Sequence, residues 1–189
     1  MTQRVQTVED LAQLVEAQRS KRPFVVAIAG RGGAGKSTVA HQLAMRLIDS
    51  AVVPLDDFLV KASMLAPRVE DHFDLLRVER EVLISFTQGL PFNYRRPDWD
   101  TGLLVPIDGV IDSTLIVLEG ICAFEPPLEA YVDLSVWVDT PANVATERGR
   151  ERDEGTENVH HWDVWERQDT DFLARRQPER RASVVISGS

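Results

Sequence analysis

Apolar residues along this chain recur in two rhythms. Residues 24–29 read Phe-Val-Val-Ala-Ile-Ala with no polar break, the length and make-up of a strand buried on both faces of a parallel sheet. Residues 51–55, 114–118, 134–138 and 183–186 are further short strand-like runs rich in Val, Ile and Leu. Between them the spacing changes to that of helices. Leu11, Leu14 and Val15 share one face, as do Val39, Leu43, Leu47 and Ile48. Leu75, Leu76, Val78, Val82, Leu83 and Phe86 mark the apolar side of a helix over 73–86, which Gly89 stops. Thr7-Val8-Glu9-Asp10 has the form of a capping box ahead of the first helix. Pro141 sits at the favoured first position of another helix, which runs into the charged segment 147–154. A last helix covers 162–176 and ends before Pro178. Residues 60–72 follow neither rhythm and read as a loop. Residues 90–102, aromatic, Arg-rich and broken by prolines, read as a loop or short hairpin. Strands alternating with helices predict an α/β domain with a mainly parallel sheet, whose ligands bind beyond the carboxyl ends of the strands.

Size and charge narrow the picture. The chain of 189 residues fits one domain, 1–189, with an N-terminal helix in 1–22. A net charge of −9 argues against a nucleic-acid surface. No apolar stretch approaches the ~20 residues of a membrane helix, so no membrane partner is expected. Residues 1–16 are polar and amphipathic, without the apolar segment of a secretory leader. Cys122, the single cysteine, cannot form an intrachain disulfide and fits the cytoplasm, as a small buried hydrophobe. Apolar residues on the first helix either join two copies or cover the sheet, leaving a monomer or a homodimer open. The four histidines lack metal-ligand spacing with Cys or acids.

One segment carries specific chemistry. Gly30-Arg31-Gly32-Gly33-Ala34-Gly35-Lys36-Ser37, followed by Thr38, matches the phosphate-binding pattern G-x-x-x-x-G-K-S/T. It follows the 24–29 strand and precedes a helix, as its mechanism requires. Glycines let the backbone approach phosphate oxygens, and successive N–H groups form an anion nest at a helix N-terminus. Lys36 is one of three lysines, with Lys21 and Lys61, in a chain whose other basic residues are Arg. It supplies a compact charge for β- and γ-phosphates. The Ser37 hydroxyl suits Mg²⁺.

Acids follow three of the strands. Asp56 and Asp57 compete for the role of the base that accepts a nucleophile's proton. Glu119 is placed to hold Mg²⁺, partly through water. Arg148, Arg150 and Arg152 alternate with Glu147, Glu151 and Asp153, as either a solvated helix face or a lid at about 145–160 that neutralises transferred charge. Tyr94, Arg96, Asp98 and Trp99 lie in an aromatic loop suited to a ring-bearing, hydroxylated substrate, or to packing around Trp99.

At this point the chain resembles the uridine kinase and phosphoribulokinase family from about residue 24 to 188. The phosphate loop, Leu55-Asp56-Asp57-Phe58, Leu118-Glu119-Gly120 and residues 148–153 carry the resemblance, with Asp71-His72-Phe73-Asp74 and the closing strand. It implies a three-layer α/β/α P-loop fold with a five-stranded parallel sheet and a small helical lid. It implies ATP and Mg²⁺ as cofactors and a small-molecule hydroxyl acceptor, a nucleoside first, with pantothenate, a sugar, glycerate or nicotinamide riboside as alternatives. By resemblance Asp56 is the base, Asp74 contacts substrate hydroxyls, and Arg148 and Arg152 are lid arginines. The pattern departs at Leu59, where Tyr is usual, and at Arg96-Pro97-Asp98-Trp99, which stands for Pro-x-Tyr-Asp and lacks the following His. Those departures bear on the acceptor, not on the transfer chemistry. The rival from another class is a regulatory P-loop module, which needs no acceptor pocket.

Overall fold

The computed structural model describes residues 2–19, 23–60 and 66–188. Lys21 and Lys61 lie outside them. The centre is a six-stranded sheet, every pairing parallel, in the order β1-β8-β7-β2-β6-β3. Its strands are β1 (Gln3–Val5), β2 (Phe24–Ala29), β3 (Ser50–Pro54), β6 (Leu115–Glu119), β7 (Leu134–Asp139) and β8 (Val184–Ser187). Five of the six match the sequence reading within a residue or two. The sixth, β1, corrects the expectation of five strands and of a purely helical start. Its three residues pair with β8 at Gln3–Val184 and Val5–Ile186. Only Val5 is buried, so no apolar rhythm announces the strand.

β2 shows why its sequence is unbroken by polar residues. Val25, Ala27 and Ala29 join the core on one face, and Phe24, Val26 and Ile28 that on the other. On the second face lie α1 (Val8–Gln18), through Leu11, Ala12 and Val15, and α2 (Lys36–Ala44), through Val39, Ala40 and Leu43. On the first lie α3 (Leu75–Val78), α4 (Ile84–Thr87) and α6 (Trp162–Arg176), the last through Phe172 and Leu173. Helices on both faces complete the α/β/α layering. The connections α5 (Ala142–Arg152) and α7 (Pro178–Arg181) flank α6. Among the described residues no helix is long and apolar enough to cross a membrane.

The helix expected over 73–86 is three pieces. Asp74 caps α3 by accepting from the Arg77 N–H at 3.0 Å, a π-turn spans Glu79–Leu83, and α4 follows. Leu76, placed inside by its spacing, is 61% exposed. Gly89 ends the stretch at φ +70°, with Leu90 N–H donating to the Ser85 carbonyl. Residues 90–102 do enter a hairpin, β4 (Arg95–Pro97) with β5 (Leu104–Pro106), whose second strand lies beyond the expected segment.

The capping box at Thr7 is complete. Thr7 Oγ1 accepts from Asp10 N–H, and an Asp10 oxygen accepts from Thr7 N–H, both at 3.0 Å. α1 therefore covers the sheet of its own chain. Leu11→Ala should cost about 2–5 kcal/mol, the range for truncating a buried Leu, with a urea midpoint independent of protein concentration. A midpoint that shifts with concentration would place α1 between subunits.

Candidate active site

The strand order sets β2, β6 and β3 side by side. Glu119, the last residue of β6, is in register with Ile28 on one side and Pro54 on the other. The phosphate loop leaves β2 just beyond Ile28, and Asp56 follows Pro54 in a 3-10 turn over Leu55–Phe58. Three separate stretches of sequence thus meet at one sheet edge.

The loop turns into α2 through Gly33 at φ +74° and Gly35 at φ +93°, conformations L side chains rarely adopt. A Cβ on Gly33 would also lie 2.0 Å from the Ala145 carbonyl oxygen of α5. Lys36 Nζ donates to the Arg31 carbonyl at 2.8 Å, and Ser37 Oγ donates to Glu119 Oε1 at 3.0 Å. Thr140, just past β7, donates its hydroxyl to the Ala34 carbonyl at 2.9 Å and braces the loop. Glu119 is buried, and burial pushes its carboxyl up; the Asp56 charge adds to this, while Lys36 and the Ser37 hydroxyl oppose it.

Asp56 and Asp57 separate clearly. Tyr94 OH donates to Asp57 Oδ2 at 2.8 Å, and the Tyr94 ring stacks on Phe58 at 5.0 Å. Burial raises the Asp57 carboxyl, with the Tyr94 bond opposing. Asp56 instead lines a cavity of about 500 Å³ together with Gly32, Gly33, Lys36, Ser37 and Glu119. Arg152, at the end of α5, lines it as well; Arg148 does not. Arg31 faces a second hollow of about 420 Å³ beside Asp139 and Thr140.

Of the five residues expected to bind substrate, the cavity includes Trp99 alone. Tyr94 is buried behind Asp57, Asp74 caps α3, and Asp98 holds the hairpin turn by accepting from the N–H groups of Asp100 and Thr101. Arg96 sits in β4, outside the cavity lining. The far wall comes from residues the sequence reading did not select. Trp162, Trp165 and Asp169 lie at helical spacing on one face of α6, with Phe73 and His72 opposite. That one-face periodicity within 162–169 was the available signal.

α6 touches both ends of the cavity. Asp169 Oδ2 accepts from the Gly32 N–H at 2.8 Å, and burial pushes this carboxyl up. Its neighbour Gln168 donates through Nε2 to the Ala66 carbonyl at 2.7 Å. His72 Nε2 is 3.1 Å from the same carbonyl. A carbonyl only accepts, so His72 carries its hydrogen on Nε2 and Gln168 keeps its Oε1 for another donor. That Oε1 is buried with no partner among the described residues.

Ser37 Oγ and Glu119 present two oxygens, with Asp56 nearby. Mg²⁺ is usually held by one or two side-chain oxygens, phosphates and water, and the pair fits it. Among the described residues no group of three or more His, Cys, Asp or Glu forms a separate metal cluster.

Comparison with known proteins agrees with this geometry. The family model described as the phosphoribulokinase/uridine kinase family matches residues 57–182. The match begins after the phosphate loop, so the two observations are independent. A uridine kinase from Geobacillus sp. (strain WCH70) is 31% identical over 145 residues, covering 70% of this chain and 68% of that one. Another from Halobacterium salinarum is 32% identical over 143 residues, 69% and 62% of the two chains. A candidate fructose transport system kinase from Silicibacter sp. TM1040 superposes with a TM-score of 0.73 at 24% identity, over 96% of this chain and 99% of the other. A candidate uridine kinase from Bacillus stearothermophilus gives 0.73 at 18% identity, over 95% and 96%. At those identities the two structures speak for the fold.

The raised Asp169 carboxyl has a thermodynamic consequence. The unfolded chain loses this proton near the ordinary 3.8, while the folded protein holds it to higher pH. The folded state then binds more protons in that interval, so stability falls as pH rises from 3.8 through the folded value. Asp169→Asn should flatten this part of the stability–pH curve, measured by urea unfolding. An unchanged slope would show that Asp169 ionises normally.

Proposed function

The chain belongs to the phosphoribulokinase/uridine kinase family and is a phosphotransferase with a hydroxyl acceptor; on that premise we propose an ATP- and Mg²⁺-dependent kinase for a nucleoside, acting in the cytoplasm. The observation that carries the reading is one cavity holding Lys36 and Ser37 of the phosphate loop, Asp56, and room for an acceptor. Its volume lies within the ~300–1,000 Å³ of small-molecule sites.

The loop N–H groups and Lys36 hold the β- and γ-phosphates. Ser37 and, through water, Glu119 would hold Mg²⁺, which would supply charge neutralisation on those oxygens. Asp56 accepts the acceptor's hydroxyl proton as that oxygen attacks the γ-phosphorus. The bond from phosphorus to the ADP oxygen breaks, and ADP leaves. Arg152 faces the transferred group from the end of α5, with Arg148 on the same helix, and residues 145–160 act as the lid.

The acceptor side favours a flat molecule. Trp99, Trp165 and Phe73 line the cavity with aromatic surface for stacking. Gln168, whose buried side-chain oxygen has no partner among the described residues, lines the same wall. The uridine kinases among the relatives agree with a nucleoside. The hollow beside Arg31, Asp139 and Thr140 is where we place the ATP base.

ADP release from ATP and Mg²⁺, measured against nucleosides, sugars, pantothenate and glycerate, should rise well above the water background with a nucleoside. A flat panel beside tight ATP binding would favour a regulatory nucleotide module instead. Asp56→Asn should lower kcat by about 10²–10⁴, the range for a general base, while ATP affinity stays near that of the unaltered protein. Equal loss of both would remove Asp56 from the role of base.

A further inference from the structure

Arg152 is held in a way that its place in a charged segment does not suggest. Its Nε and Nη2 donate to Asp153 Oδ1 and Oδ2 at 2.8 and 3.0 Å, so neighbouring residues form a two-point pair. Asp153 is itself 7% exposed, and its Oδ2 also accepts from Trp162 Nε1 at 2.9 Å. The Asp153 carbonyl takes two further bonds, from Thr156 N–H and Oγ1 at 3.0 and 2.8 Å. Arg152 lowers the Asp153 carboxyl below the usual range, with Trp162 adding to the effect.

Trp162 is equally fixed. Its ring is buried against Gly149 of α5, where a Cβ would lie 2.0 Å from ring carbon Cη2. Only glycine leaves the indole room to reach Asp153. The guanidinium carbon of Arg152 stands 5.8 Å from the centre of that ring. Arg150 points elsewhere, to Asp163. α5 and α6 are therefore joined at the point where Arg152 enters the cavity.

A guanidinium carries five N–H donors in a rigid fork. Two serve Asp153, which leaves three for the cavity it shares with Asp56 and Lys36. An exposed arginine normally samples many rotamers and gives them up on binding. Here the pair with Asp153 removes that freedom in advance.

We propose that Asp153 and Trp162 are positioning residues that preset the Arg152 side chain within the lid segment, so that its guanidinium is already oriented for phosphoryl transfer before substrates arrive. The inference rests on the kinase reading of the cavity. Its chemistry is electrostatic: a preset cation meets charge on the transferred group without a reorganisation step.

Steady-state rates and urea midpoints of four variants test it. Arg152→Ala should lower kcat by about 10³-fold, the low end for an arginine that stabilises phosphoryl transfer. Asp153→Asn keeps the shape and should lower kcat by about 10–100-fold, as loss of an orienting partner does, with both KM values little changed. Trp162→Phe, which keeps the carboxylate and removes one donor to it, should act in the same direction and less. Asp153→Asn added to Arg152→Ala should cost nothing further, because the two act as a unit. A full additional loss in that background, or a raised KM at unchanged kcat, would overturn the proposal. If Asp153→Asn unfolds, Trp162→Phe carries the same comparison with Arg152→Ala. An unaltered protein that turns over no acceptor sinks the kinase reading. In that case the affinity for Mg·ADP with tetrafluoroaluminate still judges the pair: it should weaken about tenfold in Asp153→Asn while Mg·ADP binding alone is unchanged, and equal affinities would refute the preset arginine.

Discussion

The seating of β6 between β2 and β3 determines where the reactive groups stand. Strands in a sheet lie about 4.8 Å apart, and here three of them stand level at Ile28, Glu119 and Pro54, at or one residue short of their ends. One delivers an anion-binding loop, one a buried carboxylate and one a candidate base. A slip of β6 by a single residue would send the Glu119 side chain to the opposite face and break its bond with Ser37. The chemistry is thus referenced to sheet register, the least compliant coordinate the fold possesses.

The charged groups of the cavity lean to the same sign as its proposed cargo. Among the described lining residues Asp56, Glu119 and Asp169 face Lys36 and Arg152, three carboxylates against two fixed cations. Burial already disfavours the ionised forms of Glu119 and Asp169. A bare triphosphate would add to the imbalance, whereas one arriving with a divalent cation would relieve it. The acids are consistent with the Mg²⁺ dependence proposed. The net charge of −9 is no obstacle to the polyanion proposed, because local N–H groups and one lysine would act at short range.

The sequence exposed what is local and hid what is assembled. The phosphate loop, the strands at 24–29 and 134–138, and the helix at 162–176 each announce themselves by spacing or by glycine placement. Lys36, Ser37, Asp56 and Glu119 were legible because each sits at a strand end or in a motif. β1 was invisible, since three residues with one buried side chain carry no rhythm. The hairpin misled more. Its aromatics and arginines looked like a substrate surface, yet Tyr94 packs on Phe58 and bonds to Asp57, and only Trp99 reaches the cavity. A tyrosine that fills a core and one that stacks on a ligand look the same in a string of letters. Conversely α6 supplies Trp162, Trp165, Gln168 and Asp169, whose shared helical spacing does not tell that their face lies over the phosphate loop.

The hairpin β4–β5 is spliced between two fixed points, the Phe92–Ile111 bridge at its base and the core contact of Tyr94. It lends one side chain to the cavity and nothing to the phosphate loop. Beyond Arg95, which Arg77 and Glu81 hold, the tip of the hairpin can change length or sequence without disturbing the carboxyl ends of the central strands. Trp99, the one side chain the hairpin lends to the cavity, can therefore be exchanged while the wall supplied by α6 and the phosphate loop stay as they are.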